Sequence, residues 1–171
     1  MIEALPIVLR DFPDVEVYVA GNDYTLRKTL KDKLKFRAYP NYICHLMDNL
    51  KVRDKIHFTG FLDEKGMIEQ YLKAHIFVCP SSVENSPNSL GVPCIGSIAG
   101  GIPSMIEHGK TGLLYRFEEY EYLAKYICQL FYDNELVTIL SENGSKEAAK
   151  RHDSETNARM MFHIYQEVCK R

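Results

Sequence analysis

The sequence predicts an α/β protein: a doubly wound parallel sheet followed by a helical carboxyl-terminal segment. Two observations lead there. Short β-branched and apolar runs alternate with stretches of helical periodicity, which is the pattern of βαβ units and a parallel sheet. From Glu118 to Arg171 no strand-like run recurs, and the apolar residues fall at helical spacing.

The elements follow in order. Residues 2–10 carry Ile2, Leu5 and Leu9 on one helical face and stop at Asp11-Phe12-Pro13. Val15–Ala20 is β-branched and aromatic, and Gly21 closes it as a strand. Residues 24–50 read as helix, with a break expected at Tyr39-Pro40 because a residue before proline is steered away from helix. The pattern restarts at Asn41 with Tyr42, Ile43, Leu46, Met47 and Leu50. Ile56–Thr59 is the next strand, ended by Gly60. Asp63 is an N-cap candidate for a helix running to about Ala74, with Gly66 as its weak point. Ile76–Cys79 is too short for a helix and reads as a buried strand. Pro93–Ser97 is another strand, and Gly100-Gly101-Ile102-Pro103 is a turn. His108-Gly109-Lys110-Thr111 turns the chain into a last strand at Gly112–Tyr115. The helical remainder divides into three pieces, broken near Asp133-Asn134 and at His152-Asp153-Ser154, where Ser154 with Asn157 is expected to cap the last piece.

Composition narrows the function classes. A chain of 171 residues with 46% hydrophobic and 26% charged residues is ordinary for one globular domain, so a single domain over 1–171 is expected. A net charge of −2 offers no field for nucleic acid, and none is expected as a partner. No stretch approaches a transmembrane span, and the amino terminus lacks the pattern of a signal peptide. The five cysteines are scattered and never form a C-x-x-C pair. A disulfide framework or zinc site is not expected, Cys79 and Cys94 read as small buried hydrophobes, and a reducing cytoplasm is the expected compartment.

Several catalytic signatures fail. Gly109-Lys110-Thr111 has Ser104 where a P-loop needs its first glycine, and it leads into a strand. Gly96, Gly100 and Gly101 miss the G-x-G-x-x-G spacing, and no G-x-S-x-G elbow exists. The six histidines never fall at metal-ligand spacing, and His57 and His75 read as satisfied structural residues. The loop after Cys79, Pro80-Ser81-Ser82-Val83-Glu84-Asn85-Ser86-Pro87-Asn88-Ser89-Leu90, is different. It lies at the carboxyl end of a strand, where open α/β sheets hold ligands. Glu84 can accept hydrogen bonds from hydroxyls, although a solvated loop carboxylate is the plain alternative. Asn85, Ser86 and Asn88 also suit a simple turn.

Three blocks carry a family resemblance, from about Val15 to Glu118. They are Val17-Tyr18-Val19-Ala20-Gly21, then Ile56–Leu62 with Ala74–Ser81, then Gly91-Val92-Pro93-Cys94-Ile95 with Gly100-Gly101-Ile102-Pro103 and His108–Leu114. In order and spacing they resemble the carboxyl-terminal, donor-binding domain of family 4 retaining glycosyltransferases, the group 1 enzymes of GT-B architecture. The resemblance implies a Rossmann-like half of a GT-B fold that binds a nucleoside diphosphate sugar. It implies Glu84, Asn85 and Asn88 for the donor sugar and the Asn88-Ser89-Leu90 backbone for the diphosphate. It implies Gly60-Phe61-Leu62 for the nucleotide base, no catalytic residue in this chain and no metal or other cofactor. The whole enzyme would transfer the sugar to a glycan or lipid-linked acceptor.

The sequence departs from that family in two places. The second glutamate of the donor loop is absent, with Val92 at its spacing. Several residues of the intervening helix are also absent after Leu90, either unlisted or truly deleted. An intact mass above 19.7 kDa would favour the first. At the front, the family's opening strand and amino-terminal acceptor domain have no counterpart. The chain is therefore expected to be a fragment, inactive alone, whose membrane contact if any would run through the missing domain. A nucleotide-sugar epimerase of the same architecture and a degenerate, non-catalytic GT-B module stay open as alternatives. The tyrosines at 115, 120, 122 and 126 are expected to cover a core or face a neighbouring domain.

Overall fold

Five parallel strands and six helices make up the described residues of the computed structural model, which are 1–23, 25, 38–81 and 91–170. They gather into two compact units. One holds Met1–Lys73 with Glu118–Tyr132, and the other holds Ala74–Phe117 with Asp133–Arg171. The prediction of an α/β chain with parallel pairing and a helical end holds in both.

In the first unit, α1 (Leu5–Asp11) opens with Pro6, which needs no N–H at a helix start, and buries Leu5 and Val8. Strands β1 (Val17–Ala20) and β2 (Ile56–Gly60) pair in parallel, Val17 opposite Ile56 and Tyr18 opposite His57, with a register shift between Val19 and Ala20. Between them lies α2 (Ala38–Asn49). Its far end is closed by Lys51 in a left-handed conformation, which lets the Val52 N–H reach the Met47 carbonyl at 3.0 Å. Arg53 folds back on the same helix end, with Nε 2.5 Å and Nη2 3.1 Å from the Asp48 carboxylate. The core beneath joins Leu5, Met47 and Val52 to Val15, Val17, Ile43 and Ile56.

Helix α3 (Glu64–Lys73) starts where Asp63 accepts a hydrogen bond from the Gly66 N–H at 2.8 Å, as the sequence predicts. Helix α4 (Tyr120–Tyr132) buries Leu123, Ala124, Ile127 and Leu130 and packs on α1. Phe12, just past α1, meets both Phe131 and Tyr132 with tilted rings, centroids 4.8 Å apart.

In the second unit, β3 (Phe77–Cys79), β4 (Cys94–Ser97) and β5 (Leu113–Tyr115) form a parallel sheet in that order. The middle strand is buried throughout, as a parallel strand with neighbours on both sides should be. A single turn at Ile102–Ser104 drives Ile102 into contact with Cys79 and Cys94, and Ile106 joins them. Helix α5 (Asn134–Arg151) is capped by Asp133 through the Leu136 N–H at 2.9 Å. Its polar side chains hold loop backbone: Asn143 donates to the Lys110 carbonyl at 3.2 Å and Arg151 to the Ser104 carbonyl at 2.8 Å. Helix α6 (Ser154–Cys169) buries none of its residues.

One expectation lies partly outside the described residues, and two others need correction. Helix is described from Ala38 through Tyr39-Pro40, while the residues before Ala38, on which the expected break also bears, lie outside the described residues. The last helix is capped by Asp153, one residue before Ser154, since the carboxylate reaches the N–H groups of Glu155 and Thr156 while the Asn157 amide donates to Arg151. The strands predicted from Val15 and Ile76 begin at Val17 and Phe77, where pairing first forms.

Candidate functional site

The carboxyl ends of parallel strands are where backbone and loops can face a ligand. In the first unit, β1 and β2 end together. The Gly21 N–H donates to the Gly60 carbonyl at 3.0 Å, beyond the parallel ladder. Gly60 has φ +75°, a left-handed turn that glycine adopts without strain. Phe61 follows, 88% exposed, and Leu62 is half-buried. All three residues proposed for the base thus lie at a strand's carboxyl end. Phe61 there is an uncovered aromatic face.

In the second unit, β3 ends at Cys79, and Pro80 and Ser81 carry the chain outward. Ser97, the last residue of β4, is fully buried, and its Oγ donates to the Ser81 carbonyl at 2.5 Å. On the far side of the loop, Ser141 of α5 donates to the Gly91 carbonyl. Glu84, Asn85, Asn88, Ser89 and Leu90, expected to touch the donor sugar and diphosphate, lie outside the described residues. The structure describes both flanks of that segment, Ser81 and Gly91. Val92 is half-buried.

Burial, followed by the neighbouring Cys79, pushes the Cys94 thiol up to about 12. The same causes, in the same order, push the Tyr115 hydroxyl up to about 12. Neither group supplies a base or nucleophile near neutral pH. Among the described residues no group of three or more His, Cys, Asp or Glu side chains is placed to hold a metal ion. No described helix is long and apolar enough to cross a membrane.

His57 departs from its expected role. Its Nε2 is buried without a hydrogen-bond partner and stands 3.7 Å from the Glu16 carboxylate. That carboxylate takes its hydrogen bond from Tyr18 Oη at 2.8 Å instead, and the Tyr18 and His57 rings lie 5.1 Å apart. Sequence reasoning passed over Ser97 and Ser141. A serine closing the apolar run Pro93–Gly96 was a signal for the first, since a buried hydroxyl must find an acceptor. Ser141 sits in a plain polar helix face and gives no such signal.

The comparisons with known proteins fit this architecture. Spore coat protein SA of Bacillus subtilis (strain 168) is 26% identical over 97% of this chain and 44% of its own length. The N-acetyl-alpha-D-glucosaminyl L-malate synthase of Bacillus anthracis is 30% identical over 74% of this chain and 34% of its own. Among solved structures, Anabaena HepE in complex with UDP superposes with a TM-score of 0.78 at 18% identity, over 97% of this chain and 44% of that one. The chain thus spans less than half the length of these relatives. Its fold is the Rossmann-like half of a GT-B glycosyltransferase. The model of the family "Glycosyl transferases group 1" matches residues 1–147, and the chain belongs to that family.

Proposed function

We propose that this chain is the donor-binding domain of a retaining glycosyltransferase, a single nucleotide-sugar-binding domain over residues 1–171 that works with an amino-terminal acceptor domain. The observation that carries the reading is the family match over residues 1–147, and the UDP bound to the structurally similar HepE supports the ligand class. In this reading the base lies against Gly60-Phe61-Leu62. Glu84, with Asn85 and Asn88, accepts and donates hydrogen bonds to the sugar hydroxyls. The backbone N–H groups of Asn88-Ser89-Leu90 meet the diphosphate. Preorganised donors of this kind stabilise charge as it develops on the leaving diphosphate, so the reading needs no bound metal. The acceptor is a glycan or a lipid-linked sugar, and the work is done in the cytoplasm. Alone, the chain lacks the half of the cleft that would align an acceptor and exclude water, so it transfers no sugar.

Titration of the chain with UDP and UDP-glucose by calorimetry tests this. Sub-millimolar binding is expected, with Glu84→Gln weakening UDP-glucose more than UDP. The absence of any binding at millimolar UDP would sink the donor reading. It would favour the second one, a non-catalytic module, for which Val92 in place of the family's second loop glutamate is the supporting observation.

A further inference from the structure

We propose that His108 is a proton-sensitive latch on the outer edge of β5, closed while its imidazole is neutral and released when the ring takes up a proton. The latch is independent of the donor reading above.

Among the described residues β5 is the last strand of its sheet, paired with β4 on one side. Its middle residue, Leu114, gives its N–H to the His108 ring, 2.9 Å from Nδ1. An open N–H on a strand edge is a template for pairing with another chain. Here a side chain occupies that donor.

A densely bonded turn holds the ring in place. The Lys110 and Thr111 N–H groups both donate to the Glu107 carbonyl at 3.0 Å, and the Gly109 N–H donates to the Gly112 carbonyl at 2.8 Å. Thr111 Oγ1 accepts from the Glu107 N–H at 2.8 Å. Gly109 takes φ +78°, and His108 forms an isolated parallel bridge with Gly112. From α5, the Asn143 amide adds its bond to the Lys110 carbonyl. All of these join amide and hydroxyl groups, which do not titrate. The bond from Leu114 is different, because its acceptor is an imidazole.

An imidazole nitrogen accepts only while it carries no proton. In the neutral ring Nδ1 is therefore bare and the proton sits on Nε2. A second proton makes Nδ1 a donor pointed at another donor, and the attraction is lost. The charged side chains of the turn and of α5 are occupied with one another: Lys110 pairs with Glu107, Lys146 with Glu142 and Arg151 with Glu147. None of them bonds the Leu114 N–H.

Amide exchange at Leu114, corrected for its intrinsic rate, tests the latch when followed by NMR from about pH 8 to about pH 5, the interval in which histidines change charge. Protection at Leu114 should fall roughly three- to tenfold toward acid, the worth of one hydrogen bond, while α4 keeps its protection. The ¹⁵N shift of His108 Nδ1 should move over the same interval. His108→Ala should leave Leu114 poorly protected at both ends. His108→Asn, which offers a carbonyl oxygen that cannot titrate, should remove the pH step. Equal protection of the parent at both ends would overturn the latch. So would a ring that titrates over a different interval from the loss of protection, or a His108→Asn variant that keeps the parent's pH step.

Discussion

Gly96 on β4 and Ile102 in the turn after it approach so closely that no side chain fits between them. A Cβ at Gly96 would stand 2.6 Å from Ile102 Cγ2 and 3.0 Å from Ile106 Cδ1. Glycine is required here by contact and not by backbone angle. Ile102 and Ile106 in turn cover Cys79 and Cys94, so this one absence of a side chain lets the turn close over the middle strand.

Gly96→Ala should therefore destabilise the protein by about 1–3 kcal/mol, the usual range for overpacking a core. Urea unfolding should show a lower midpoint at an unchanged slope. Gly112→Ala should behave alike, since its Cβ would meet Ile106 Cγ2 at 2.8 Å and the Cys94 carbonyl at 2.9 Å.

Cysteine labelling should be strongly uneven. With its thiol pushed up to about 12, Cys94 holds roughly one thiolate in ten thousand at pH 8. Cys169 is exposed on α6. In the native protein a disulfide reagent should modify Cys169 within minutes and leave Cys94 untouched until denaturant is added, as peptide mass mapping would show.

Helix α6 should be dispensable for the stability of the rest. It buries no residue, so deleting residues 153–171 removes little packed surface. The thermal midpoint should move by no more than about 2 °C, a small shift for a domain of this size. A larger fall would show that the helix packs in solution.

Acid should loosen the helix ends first. The Thr156 hydroxyl holds the Asp153 carboxyl below its ordinary 3.8, and the Arg53 guanidinium does the same for Asp48. A folded-state value below the unfolded one stabilises the fold above the unfolded value, and the contribution is lost as pH falls through the folded one. Helicity by circular dichroism should thus hold from pH 7 to about 4 and decline below it, with Asp153→Asn abolishing part of the decline.

Much of this was legible in the residues because the deciding forces were local. Asp63 and Asp133 mark their helix starts by chemistry that acts within three residues, and Gly60 ends β2 where a left-handed turn is needed. Gly60-Phe61-Leu62, the residues the family resemblance offered for the base, follow the end of β2. What escaped depends on distant partners. Ser141 meets Gly91 across fifty residues, and His57 Nε2 stands 3.7 Å from the Glu16 carboxylate without a hydrogen-bond partner.

The chain passes from the first unit to the second and back to the first before finishing in the second. Phe12 finds Phe131 and Tyr132 only after β3, β4 and β5 have been made. On the ribosome, then, the part of α1 that packs on α4 must wait until α4 emerges, and the three-stranded sheet must wait for α5. Before residue 132 neither of these two units is complete. Cutting the gene at Lys73 would leave the first piece without α4, a helix of its own unit, while the second piece keeps the whole of its unit.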